Sequence, residues 1–461
     1  MEPMQIEEIR RAVNGKIVQG DPSAEISSIS IDSRKLSPGD LFIAIIGEKY
    51  DGHSFISDAV DNGAKALVVD RSIKAYPNIA IIRVKDTTKA LQDLGHYNRM
   101  RYNKLEVVGI TGSVGKTTTK DMIAGILQEK YNTLKTAGNY NNYYGLPLSL
   151  LSLEGDEDIA VLEMAMSNLG EISLLAEIAR PRIGVVTNVG PAHLKNLDNI
   201  ANVAEAKQEL IEGLPEEGIA ILNYDNDYVR KMDQAFKGKK VIYYGLDKNA
   251  DIYAENVNTN EEEKSISFDI NYYGEKISIN LSKPGKHNIY NALAAVAVAR
   301  EYDVSWDTIK LGLRNLNISS LRLDIKENNG VTIINDTYNA NPLSMKAGIS
   351  VLKDISSGRS IAVLGDMLEL GAQKEKAHYK IGQYIAKEEI DILITVGDLA
   401  EIIGTGAEDE TMENSKIYRV ENNQDAFDIL EDLCKKEDYI LVKGSRKLKM
   451  EEIVDQLMKM S

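Results

Sequence analysis

The stretch Val107–Lys120, VVGITGSVGKTTTK, carries the residue types that hold a nucleoside polyphosphate. A buried-strand pattern (Leu105, Val107, Val108, Ile110) breaks at Gly112 and Gly115, and a helical pattern resumes from Lys116 through Met122, Ile123, Ile126 and Leu127. Strand, glycine turn and helix make a phosphate cradle, because backbone N–H groups and the positive helix end face an anion. Thr111, Gly112, Ser113, Val114, Gly115, Lys116, Thr117 and Thr118 are the candidate nucleotide-binding residues. Lys116 would reach the terminal phosphates, and the Thr117 hydroxyl would hold Mg²⁺. The usual G-x-x-x-x-G-K-[ST] spacing would put glycine at Ile110, whereas the nearest glycines are Gly109 and Gly112. ATP or a close relative is the expected ligand.

Glu163 ends a strand pattern, DIAVLEM (158–164), and His193 follows another, RIGVVTN (182–188), through Gly190. Ligands of open parallel sheets bind beyond the carboxyl ends of the strands, so both residues should share a rim with Lys116. A carboxylate beside a triphosphate can hold Mg²⁺. Histidine is an unusual ligand for so hard a cation, and a hydrogen-bonded loop histidine is the plainer alternative for His193. Lys207, in AEAKQELIEGL, reads as a solvated helix lysine. His287, Asn288 and Asn291 open a helix, where they would cap it or hold a purine base. Nearer the front, Asp32-Ser33-Arg34 and Gly47–His53 read as polar loops, although Arg34, Ser33 and His53 would also suit a second phosphate-bearing ligand.

The elements that must carry these residues suggest three α/β domains in the 461 residues, over 1–103, 104–316 and 317–461. In the first, SSISIDS (27–33), DLFIAIIG (40–47) and AKALVVD (64–70) read as strands and Ile56–Asn62 as a helix. In the second, the helix after the phosphate loop runs to about Tyr131, and TAGNYNNYYGLP (136–147) has too many turn-formers for a strand or helix interior. A helix spans about Asn199 to Leu214, GIAILN (218–223) is a strand, residues 251–282 read as a β-meander, and HNIYNALAAVAVAREY (287–302) is a helix. In the third, VTIIND (331–336), SIAVLGD (360–366), DILITVG (391–397) and DYILVKG (438–444) imply a Rossmann-like, doubly wound sheet of five or six strands.

A hydrophobic share of 43% suffices for real cores, and the longest notable apolar run, Ala292–Ala299, stops at Arg300. That is well short of the roughly 18 residues of a membrane span. The start, MEPMQIEEIRR, lacks a signal peptide's basic-then-apolar order. The sole cysteine, Cys434, allows no internal disulfide and falls in a helical pattern, which predicts a core position in a cytoplasmic protein. A net charge of -16 argues against nucleic acid as a partner. The runs EEEK (261–264) and EDETMEN (408–414) read as solvated loops.

Taken together, these motifs resemble the Mur ligases, ATP-dependent amide-forming enzymes of peptidoglycan precursor synthesis. The resemblance runs along the chain through DSR, the DGH loop, TGSVGKTTTK, TAGNYNN with GLPLSLL, VLEMAMSNLGEI, TNVGPAHL, AKQEL, GKHNIYNALAA, INDTYNANPLSM, VLGDMLELG and VKGSRKLKMEEIV. The irregular first glycine is itself a family feature. NDTYNANP and LGDMLELG are most similar to the dipeptide-adding member, and the Asn-Pro-Arg-type motif of the diaminopimelate- or lysine-adding member is absent. Ala165 departs from that member's usual glycine.

The resemblance implies the following roles. Thr117 and Glu163 hold Mg²⁺, His193 joins a second Mg²⁺ site, and Lys207 takes up CO₂ as a carbamate that supports the metals. Asn291 meets adenine, and Arg322 and Asp336 close over the nucleotide, with Asp336 at the ribose. Ser33, Arg34, Asp51, Gly52 and His53 bind the uridine diphosphate end of UDP-N-acetylmuramoyl-tripeptide. Asn139, Asn141 and Asn142 are further substrate contacts, and Tyr338, Asn339, Asn341, Lys443, Ser445 and Arg446 lie near D-alanyl-D-alanine. Lys116, Lys207, His193 and Arg322 form the expected catalytic set. Three ligands on three domains predict closure about hinges near 104 and 317, and a monomer is the default expectation. A relative with another amino donor, a P-loop phosphotransferase and a non-catalytic nucleotide-binding scaffold are the competing readings.

Overall fold

The computed structural model describes residues 1–316 and 321–460. Three sheets of five, nine and six strands follow one another along the chain. Each carries an apolar cluster on both faces, as expected where βα units wind helices over a parallel sheet. The α/β class and the three-part architecture expected from the sequence are borne out. Among the described residues, no helix is long and apolar enough to cross a membrane.

The central sheet sets the geometry of the site. Its strand β1 (Glu106–Thr111) leads through Gly112 and Gly115 into helix α1 (Lys116–Leu127). β1 lies between β2 (Ile159–Glu163) and β3 (Ile183–Val186), both parallel to it. Glu163 pairs in register with Ile110 and Val186 with Thr111, so the three carboxyl ends finish side by side. Helix α2 (Ile200–Glu212), capped by the Asn199 side chain, carries Lys207 on its buried face. The strands of 251–282 are antiparallel as expected, but they extend the same nine-stranded sheet rather than standing apart from it. Helix α3 (Lys286–Glu301) is buried along nearly its whole length, and Ala292–Ala299 is fully enclosed. A helix apolar all round is one packed on every side, which explains the run without invoking a membrane.

The third sheet is mixed. β4 (Val331–Asn335) and β5 (Ser360–Gly365) flank β6 (Tyr439–Lys443) in parallel, bringing Asp336, Asp366 and Lys443 to one rim. Its edge strand, Asp324–Asn328, is antiparallel and reads DIKEN, with no apolar alternation to announce it. Strands Thr133–Lys135, Lys240–Gly245 and Ile417–Val420 also escape the sequence reading, two being very short and one opening with lysine and holding two tyrosines.

Helix Thr87–Arg101 escapes it for another reason: its polar residues are structural. Asn98 Nδ2 donates to Leu150 O (2.9 Å), and Arg99 donates to the carbonyls of Ala179 (3.1 Å), Tyr102 (2.9 Å) and Leu105 (2.9 Å). These bonds bind the first unit to the second and tie down the chain near 104. The boundary and hinge expected near 317 lie outside the described residues.

Three smaller expectations are corrected. Cys434 is not in a helix: it caps Asn423–Leu433 with extended backbone and is only partly buried. Glu408–Glu410 belong to helix Glu401–Glu410, where Glu408 pairs with Arg419 at 2.9 Å. Lys264 of EEEK is not merely solvated, since it pairs with Glu327 of the third unit.

Candidate active site

A cavity of about 510 Å³ opens between the central and third units. Ser113, Val114, Gly115, Lys116, Thr117, Thr118, Asn141, Glu163, His193 and Asn291 line it from the central unit. Arg322, Asp336, Tyr338, Asn339, Asn341 and Lys443 line it from the third. Leu343 of the third unit sits so close to Gly190 that a Cβ there would lie 2.2 Å from Leu343 Cδ1.

The phosphate loop is built by glycine and clamped by its neighbours. Gly112 has φ +152°, and a Cβ would fall 1.8 Å from Thr187 Oγ1. Gly109, by contrast, lies inside β1 against Leu210, and Ile110 is buried, so the turn itself uses Gly112 and Gly115. Asn188 Oδ1 accepts from Val114 N (3.0 Å), its Nδ2 donates to Val114 O (3.0 Å), and Thr187 Oγ1 donates to the same carbonyl (2.6 Å). Asn188 has no role in the sequence reading; a side-chain amide directly after a buried strand is the signal it offers. α1 begins without a side-chain cap, leaving its first amides free for an anion.

Lys116, Arg322 and Lys443 line the cavity, and a further lysine, Lys207, is buried behind them. Lys116 Nζ donates to Gly112 O (2.8 Å), and burial with repulsion from Arg322 lowers its pKa against the pull of Glu163. Arg322 stacks 3.9 Å from the Tyr338 ring centroid, and its buried Nε has no partner among the described residues. Lys443 is buried and donates to Asp336 Oδ2 at 2.6 Å and to Asn339 O at 3.0 Å. Lys207 corrects the solvated reading outright: it is 2% exposed, and no ion-pair partner is found among the described residues. Burial and the Lys116 charge hold its ammonium well below the usual lysine range, which favours the free amine.

Opposite them, Glu163 is 1% exposed. Its Oε2 accepts from Thr117 Oγ1 and its Oε1 from Asn141 Nδ2, each at 2.8 Å. Carboxylate and hydroxyl oxygens meeting at one point fit a hard divalent cation. Asn291 Oδ1 accepts from Thr119 Oγ1 (3.1 Å), which holds the start of α3 against α1. His193 Nδ1 meets Glu369 Oε2 at 3.1 Å, and the imidazole holds that carboxyl below its usual range. His287 also lines the cavity, with burial and then Lys443 pushing it down to about 4, so it is neutral near pH 7.

Several candidates lie elsewhere. Thr111 ends the strand beneath the loop, Gly112 turns the loop without lining the cavity, and Lys207 lies behind Lys116. Asn139 is exposed, while Asn142 Oδ1 caps helix Gly145–Leu151 through Gly145 N (2.9 Å). Ser445 Oγ accepts from Leu368 N (2.9 Å), and Arg446 pairs with Glu451 at the surface (2.7 Å). Ser33, Arg34, Asp51, Gly52 and His53 stay on the first unit. There Arg34 pairs with Asp32 (2.9 Å), and His53 bridges Asp51 (2.8 Å) and Asp70 (3.2 Å), with Arg71 alongside.

Family profiles match along most of the chain: Mur ligase family, catalytic domain, over 25–99; Mur ligase middle domain over 110–299; and Mur ligase, glutamate ligase domain, over 321–446. The UDP-N-acetylmuramoyl-tripeptide–D-alanyl-D-alanine ligase of Bacillus subtilis is 39% identical over 94% of this chain and 93% of its own. The chain belongs to the Mur ligase family. Among solved structures, a MurF from Acinetobacter baumannii covers both chains completely at 32% identity and a TM-score of 0.93. A MurF ligase from Thermotoga maritima in complex with ADP matches 94% of this chain and 97% of its own, at 30% identity and a TM-score of 0.83. The resemblance read from the motifs is therefore borne out, and the cavity is the candidate active site of a Mur ligase.

One prediction concerns its third-unit wall. Lys443 is 1% exposed in its side chain and rests on Asp336. Asp336→Ala should destabilise the third unit by about 3–5 kcal/mol, because a buried charge loses its partner. Thermal unfolding followed by circular dichroism reads this as a lowered midpoint; an unchanged midpoint would mean that Lys443 is paired otherwise.

Proposed function

We propose that this Mur ligase joins D-alanyl-D-alanine to UDP-N-acetylmuramoyl-tripeptide with ATP, giving UDP-N-acetylmuramoyl-pentapeptide, ADP and phosphate. The observation that carries the reading is the convergence of Lys116, Arg322 and Lys443 with Glu163 and Thr117 in one cavity between two units, with Lys207 buried behind Lys116. Such a cationic excess suits a polyphosphate, and the relatives at 30–39% identity supply the substrate assignment.

A carboxylate is a poor electrophile. Transfer of the γ-phosphoryl group to the tripeptide's terminal carboxylate makes an acyl phosphate and releases ADP. The amine of D-alanyl-D-alanine then attacks the acyl carbon, and phosphate leaves with one former carboxylate oxygen as the amine loses its proton. Phosphoryl transfer asks a protein chiefly for positioning and charge neutralisation. The amides at the start of α1 and Lys116 hold the β- and γ-phosphates, and Arg322 neutralises charge from the third-unit side. Asn291 lies at the adenine and Asp336 at the ribose.

Thr117 and Glu163 would hold one Mg²⁺, with His193 and the carbamate of Lys207 toward a second; the ions would neutralise phosphate charge. The free amine of Lys207 is the form that adds CO₂, losing a proton to solvent as the C–N bond forms, and the resulting anion is attracted by Lys116 where an ammonium would be repelled. Ser33, Arg34, Asp51, Gly52 and His53 bind the uridine diphosphate end, assigning residues 1–103 to the UDP-sugar, 104–316 to ATP and 317–461 to the dipeptide. Tyr338, Asn339, Asn341, Lys443 and Asn141 lie at the reacting peptide ends, with Asn139, Asn142, Ser445 and Arg446 as outlying contacts. The enzyme works as a cytoplasmic monomer on small-molecule substrates.

Isotope transfer tests the route. With ¹⁸O in the tripeptide's terminal carboxylate, one labelled oxygen should appear in the released phosphate for each amide formed. Unlabelled phosphate would rule out the acyl phosphate.

A further inference from the structure

His193 and Glu369 come from different units, and more than their side chains meet. Besides the 3.1 Å contact between His193 Nδ1 and Glu369 Oε2, Lys195 N donates to Glu369 O at 3.1 Å. A Cβ on Gly371, at φ +55°, would lie 3.1 Å from Lys195 Cα, so the two loops touch backbone to backbone. His193 (φ 55°) and Glu369 (φ 70°) both adopt left-handed backbone, an uncommon conformation for residues with a Cβ. The loop bearing Glu369 is braced from behind: His378 Nε2 accepts from Met367 N (2.9 Å), and Ser445 Oγ accepts from Leu368 N (2.9 Å).

An imidazole–carboxylate contact with one side chain 56% exposed and the other 30% adds little stability. Its consequence is orientation. A histidine that donates from Nδ1 keeps an unprotonated Nε2, the form able to bind a metal, and a carboxylate on the far nitrogen is the usual way to fix that tautomer.

We propose that Glu369 is a positioning residue that accepts the Nδ1–H of His193 and presents Nε2 to the cavity only when the third unit is seated on the central one. Docking of the third unit then completes the metal-binding half of the site. The proposal rests on the reading of His193 as a metal ligand.

The chain has five histidines, so imidazole ¹⁵N resonances can be assigned individually, with His193→Ala identifying the relevant one. Spectra are taken in EDTA with a non-hydrolysable ATP analogue and UDP-N-acetylmuramoyl-tripeptide bound. They should show His193 as Nδ1–H in the parent protein and in Glu369→Gln, whose amide oxygen still accepts. In Glu369→Ala the signal should shift to Nε2–H. In turnover, Glu369→Ala should lower kcat roughly 10–100-fold, with KM for ATP within about twofold, and Glu369→Gln should recover most of kcat. An unchanged tautomer in Glu369→Ala, or a raised KM with kcat intact, would overturn the proposal. A fully active His193→Ala protein would instead remove His193 from the proposed function, and the kinetic half of this inference with it, while the spectrum judges the pairing separately.

Discussion

Lys207→Ala is expected to lower ligation by roughly 10²–10³-fold, the scale for losing a preorganised charge at a reacting centre, while leaving the fold intact. The side chain is buried behind Lys116 without an ion-pair partner among the described residues, an arrangement that costs stability as an ammonium and makes chemical sense as a carbamate. If Lys207 carries the proposed carbamate, removing it takes away that anion and leaves a small cavity open to a substitute. Acetate or formate at high concentration should therefore restore part of the activity. In the parent protein, ¹³CO₂ should give a carbamate carbon resonance that the variant lacks. Unimpaired turnover in Lys207→Ala would take Lys207 out of the mechanism.

Arg322→Ala should cost kcat about 10³-fold or more, at the level seen when a cation supplied from a second domain is removed from a phosphoryl-transfer site. The guanidinium stacks on Tyr338 at the cavity wall, and its buried Nε has no hydrogen-bond partner among the described residues, which leaves that N–H for a ligand oxygen. Arg322→Lys should recover little, because an ammonium can neither stack as a plane nor present a fork of donors. The loss should fall on kcat, with KM for ATP changed far less, since on the proposed reading Lys116 and the α1 amides would still hold the phosphates. A variant with raised KM and normal kcat would make Arg322 a binding residue only.

The parts of this site that are legible in the amino-acid sequence are those governed by local rules. The phosphate loop announces itself because a strand, two glycines, a lysine and a threonine must follow in order. Two strand ends place Glu163 and His193 on the rim. Lys207 is not legible by composition, since helical spacing does not say which face of α2 meets the sheet; only the family motif points to it. Asn188 and Glu369 stay hidden because their work is done across the fold, on Val114 and His193, with no sequence neighbour to betray it. Helix Thr87–Arg101 is masked by the polar residues that join it to the next unit. The edge strand Asp324–Asn328 lacks an apolar face, so its pairing comes from β4 alone.

The most direct test of the proposed function measures phosphate release from ATP with UDP-N-acetylmuramoyl-tripeptide, with and without D-alanyl-D-alanine. Release that requires both substrates, with one phosphate per amide formed, is the expected result. Release that proceeds at the same rate without the dipeptide, or none with it, would contradict the ligase assignment.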